Sequence, residues 1–61
     1  MELKERDILL KALLDEQEKV RDFESHSKSM KDPEVKKVFK KMAEDHGHHA
    51  KELQQLLEKF E

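Results

Sequence analysis

Cysteine, tryptophan and tyrosine are absent from the 61 residues, and there is a single glycine and a single proline. Without cysteine there can be no disulfide, thiolate metal site, iron–sulfur cluster or thiol nucleophile. With so few turn residues and few β-branched ones, a β or α/β domain lacks the residues its strands and tight turns normally use, which leaves an all-helical chain. No apolar run approaches the roughly 20 residues that a helix needs to span a bilayer, and the amino terminus MELKERD lacks the basic start and apolar core of a signal peptide. A dominant charge sign is missing too. Thirteen Lys and Arg stand against 15 Asp and Glu, a net charge of −2, with both signs interspersed, which argues against a nucleic-acid or anionic-membrane surface. The expectation is a soluble, cytoplasmic protein with neither kind of partner.

Charged residues make up 46% of the sequence and apolar ones 34%. Ordering a chain costs on the order of 1.5 kcal/mol per residue, so a lone domain this small and this polar sits near break-even. A partner chain, a metal or both must hold it together.

The one strong break is Ser29-Met30-Lys31-Asp32-Pro33-Glu34. Asp32 can cap the free amides of a following helix, Pro33 suits its first turn, and Glu34 favours the positive end of its dipole. The chain therefore reads as one helical-hairpin domain, with helix 1 over about residues 2–30 and helix 2 over about 33–60. At alternating steps of four and three, the first helix presents Leu9, Leu13, Glu16, Val20, Phe23, Ser27 and Met30. The second presents Val35, Phe39, Met42, His46, His49, Leu53, Leu56 and Phe60, with Val38, Ala43, Ala50 and Leu57 widening the stripe. Two helices meeting along one stripe cannot enclose a core, and Ile8, Leu10 and Leu14 spread apolar surface further around helix 1. The expected remedy is a homodimer of hairpins, or a multiple of it, forming a four-helix bundle.

Glu16, His46 and His49 do not belong in those stripes on hydrophobic grounds. In an antiparallel hairpin, residues at one height have numbers summing to about 63, which sets Glu16 level with His46 and His49, Phe23 opposite Phe39, and Leu9 opposite Leu53. A carboxylate placed among apolar layers needs protons, a cation or hydrogen-bond donors in reach. His at i and i+3 with a carboxylate from the facing helix is a normal ligand set for a divalent transition metal, with iron, zinc, nickel and copper all open. The same trio can equally form a metal-free polar network that fixes register in a dimerisation or scaffold module. His48, His26, Glu44 and Asp45 point outward and read as solvated, and Gly47 either admits a close helix or is tolerated. The i,i+4 pairs along both helices are a solvated face. No phosphate loop, nucleophile elbow or Ser/His/Asp arrangement exists, so neither catalytic residues nor a small-molecule substrate is indicated.

The run Asp32-Pro33-Glu34-Val35-Lys36-Lys37-Val38-Phe39-Lys40-Lys41-Met42-Ala43-Glu44-Asp45, followed by His49 and Leu53, resembles the second helix of rubrerythrin-like members of the ferritin-like superfamily. The run from Ala12 to Phe23 resembles their first helix, in which a Glu ligand precedes an aromatic by seven residues. The resemblance extends over about residues 12–57 and implies a ferritin-like four-helix bundle with metal in its core and possible redox or metal-handling activity. It makes Glu16 the first-helix ligand and His49 the histidine of a Glu-x-x-His motif whose glutamate is here replaced by His46. Such families usually carry a whole bundle in one chain, and rubrerythrins proper add a cysteine-rich electron-transfer module; this chain has half a bundle and no cysteine. Two copies would offer two Glu and four His where a family-type site offers four Glu and two His to two ferrous ions, a change that favours a single ion, or a pair of imidazole-preferring ions such as zinc, nickel or copper, over a redox di-iron centre.

Overall fold

The computed structural model describes residues 2–60, with side-chain burial described from Lys4 onward. It is an antiparallel hairpin of two helices, α1 (Glu2–Ser29) and α2 (Pro33–Leu57), and a short 3-10 turn, Glu58–Phe60, continues from α2. There is no strand among the described residues. The hairpin is a rod measuring 47 × 14 × 12 Å.

Local chemistry accounts for where the chain turns. The last backbone bond of α1 runs from the Met30 amide to the His26 carbonyl at 3.1 Å. Ser29 and Ser27 turn their hydroxyls back onto the carbonyls of His26 and Glu24, at 3.0 and 2.8 Å, which satisfies the buried Ser27 without any partner on α2. After Lys31 the Asp32 backbone is extended, and one of its carboxylate oxygens accepts from the Glu34 and Val35 amides at 2.9 and 3.1 Å. Pro33, which has no amide hydrogen to satisfy, takes the first helical position. Asp32→Ala is therefore expected to lower unfolding free energy by about 1 kcal/mol, with Asp32→Asn restoring most of it, as measured by urea denaturation followed by circular dichroism.

Packing between the helices follows the expected heights. Phe23 meets Phe39 edge-on, with ring centroids 5.4 Å apart and planes at 76°, the favoured arrangement for an aromatic pair. Leu13, Ala43 and Leu57 are the apolar residues that become buried, and no described side chain is completely removed from solvent. Ile8, Leu10 and Leu14 near the start of α1, and Val35, Val38, Met42 and Leu56 on α2, remain exposed. By itself the hairpin has a seam between its helices, not an enclosed core.

The exposed apolar residues of α2 are not scattered. Val35, Met42 and Leu56 stand at multiples of seven residues, His49 occupies the vacant step between Met42 and Leu56, and Val38 lies beside them. Such spacing makes one stripe along a helix. The opposite flank of the hairpin carries more charged side chains: shallow grooves there are lined by Glu24, Ser27, Lys28, Lys36 and Lys40, and by Val20, Ala43, Glu44 and Gly47. The two sides of the rod thus differ in chemistry, and the apolar one carries His49.

Candidate metal centre

Glu16 lies near the middle of α1, and His46 and His49 near the middle of α2. Their height in the rod follows from the turn, and their orientation follows from helical phase. Glu16 falls in the same stripe as Leu13, Val20 and Phe23, and His46 in the stripe of Phe39, Ala43, Ala50 and Leu53. One turn beyond His46, His49 lies nearer the exposed flank.

The carboxylate of Glu16 uses a different oxygen for each imidazole. His46 Nδ1 is 2.5 Å from Oε2, and His49 Nδ1 is 3.3 Å from Oε1. The side chains of Glu16 and His46 are each 22% exposed, whereas that of His49 is 53% exposed. The site is closed toward the seam and open toward the apolar flank. Each member offers one ligand atom, and all three atoms lie within 4.8 Å of one another, a spread an ion at ordinary bond lengths of about 2.0–2.2 Å can draw together. All three residues singled out in the sequence are thus brought to one place.

Phe23 adds a contact that residue heights do not reveal. Its ring stacks on that of His46, with centroids 5.4 Å apart and planes 17° from parallel, so the imidazole is pinned on one face while its Nδ1 is held by Glu16. The signal was present in the sequence as an aromatic seven residues after Glu16, but register arithmetic pairs Phe23 with Phe39 alone. The histidine rings stand nearly perpendicular to each other, at 83° and 5.6 Å. Both Nδ1 atoms nevertheless reach the same carboxylate.

The other candidates lie outside the trio. His48 and His26 are exposed, His26 presenting its ring to the edge of Phe39 at 6.5 Å. Asp45 precedes His46 directly but bonds to Lys41 at 2.6 Å, and this lysine holds the Asp45 carboxyl below its ordinary range. Lys11 occupies Asp15 in the same way at 3.0 Å. A Cβ placed on Gly47 would meet nothing within 4 Å, so within the hairpin no helix needs the close approach that glycine allows.

The fold is a helical hairpin with an inward Glu and two His at mid-height, a donor group that could hold a metal ion. The family model for rubrerythrin matches residues 7–61, nearly the whole chain. The chain belongs to the rubrerythrin family, within the ferritin-like superfamily. Among curated proteins and among solved structures, none matches it significantly. No helix among the described residues is long and apolar enough to cross a membrane.

Proposed function

We propose that the protein binds a divalent transition metal through Glu16, His46 and His49, and that two copies pair through their apolar flanks into a four-helix bundle enclosing the site. The observation that carries this reading is the convergence of three donor atoms within 4.8 Å, with the open side of the site on the same flank as Val35, Val38, Met42 and Leu56. A second hairpin laid there removes the apolar stripe from water and covers His49 in one step. Membership of a metal-binding family supports the same conclusion. Metal analysis of protein purified without a polyhistidine tag tests it: a transition metal retained through dialysis is expected from wild type and not from His49→Leu.

A second reading has a specific observation on its side. Glu16 is hydrogen-bonded to His46 and has His49 Nδ1 3.3 Å from its other oxygen, so a metal-free network that fixes register in a helical scaffold has its partners close at hand. The two readings share the dimer and differ in their response to metal.

Gly47 reports which flank the second copy uses. If pairing occurs on the His49 side, Gly47 stays on the solvated side, and Gly47→Ala removes only the entropic cost of glycine in a helix interior. Stability is then expected to rise by about 0.5–1 kcal/mol in urea denaturation. A loss of stability in this variant would place the partner helix on the polar flank.

A further inference from the structure

We infer that the paired site holds one divalent imidazole-preferring ion shared by both trios, and not the carboxylate-bridged pair of ferrous ions that the family implies, with His46 as the residue that sets this choice. The inference rests on the proposal that the trio binds metal in a pair of chains.

The donor set does not fit a di-iron centre. Ferrous pairs are held largely by carboxylates, some of them bridging, and each trio contains one carboxylate. Among the described residues no further carboxylate joins the trio. Asp45 is engaged by Lys41 and Asp15 by Lys11, and Glu44 lines the groove on the far flank beside Lys40 and Gly47.

Charge leads to the same result. Two ferrous ions bring four positive charges, against which a pair of chains sets two from Glu16. The surplus would lie in a layer that Phe23 and Phe39 close on the turn side, where uncompensated charge is costly. One divalent ion is balanced by the same two carboxylates, and imidazoles from both chains complete its shell as neutral donors. His46 stands where the family motif has its second carboxylate, and it is held there by the Phe23 stack and the Glu16 contact. Its imidazole is thus positioned as a donor and is not a loose substitute for the missing charge.

The test is metal stoichiometry by native mass spectrometry and anaerobic titration of untagged, metal-stripped protein with zinc, cobalt(II) and ferrous iron. Binding to the exposed His26 and His48 is subtracted with a Glu16→Leu/His46→Leu/His49→Leu variant. Wild type is expected to take up one zinc or cobalt ion per two chains. His46→Glu, which restores two carboxylates per pair, is expected to take up two ions and to narrow the preference for zinc over ferrous iron at least tenfold. Every nitrogen-containing site ranks zinc above ferrous iron, so the stoichiometry and the change in preference decide the matter, not the ranking. If His46→Glu fails to fold, wild-type stoichiometry decides alone. Two ions per pair in wild type would overturn the inference and leave the metal reading intact, whereas no uptake of any of the three metals overturns both.

Discussion

Replacing Glu16, His46 and His49 together with leucine is expected to give a folded, paired hairpin whose stability no longer responds to metal. The triple change removes every polar member of the layer at once, so none is left without a partner. Replacements of whole buried networks are commonly neutral or stabilising by about 1–4 kcal/mol. His46→Leu alone behaves differently, because it strips the nearer imidazole from a Glu16 side chain that is only 22% exposed. Leaving that carboxylate short of a donor is expected to cost about 1–3 kcal/mol, so the single variant should be less stable than the triple. Wild type carries a further contribution by mass action: an ion at a hundred times its dissociation constant adds about 2.7 kcal/mol. Thermal or urea denaturation with and without metal separates these effects. Equal indifference of wild type and the triple variant to zinc, nickel, copper, cobalt, manganese and ferrous iron would remove the metal reading and leave the scaffold.

The features legible in the sequence were those fixed by short-range chemistry. Asp32 and Pro33 specify the start of α2 through hydrogen bonds to residues two and three positions away. Once the turn is placed, rise per residue fixes which layers meet, so the Phe23–Phe39 contact and the convergence of Glu16, His46 and His49 could be derived by counting. Counting could not give contacts that depend on side-chain direction. The stack of Phe23 on His46 arises because side chains lean over neighbouring turns, so that a residue reaches layers adjacent to its own. Nor could composition rank the two flanks of the hairpin. That distinction required the grooves at Glu24, Lys36 and Lys40 to appear on one side, leaving Met42 and His49 for the other.

Two copies of the hairpin are expected to pair antiparallel, and the arrangement of charge says why. From Lys28 to Lys41 there are six lysines against Asp32 and Glu34, so the turn end is basic although the chain as a whole carries −2. The rest of the rod is correspondingly acidic. A parallel pair sets lysines beside lysines, whereas an antiparallel pair sets the turn of each copy beside the acidic free end of the other. Because Glu16 and His46 lie near the middles of their helices, a two-fold axis across the middle of the rod still brings the two trios to one layer. Sedimentation equilibrium at micromolar concentration should show twice the 7.3 kDa chain mass, and a folded helical monomer would contradict the paired bundle. Orientation can be read without ambiguity because the sequence has no native cysteine: a spin label on Lys31→Cys reports the distance between the two turns alone. Antiparallel pairing puts that distance near the 47 Å length of the rod, whereas parallel pairing holds the turns within about 20 Å, two helix spacings. Exposed charges interact only over about 8 Å at physiological ionic strength. The long-distance population should therefore dominate at low salt, and any short-distance population should grow only as salt rises.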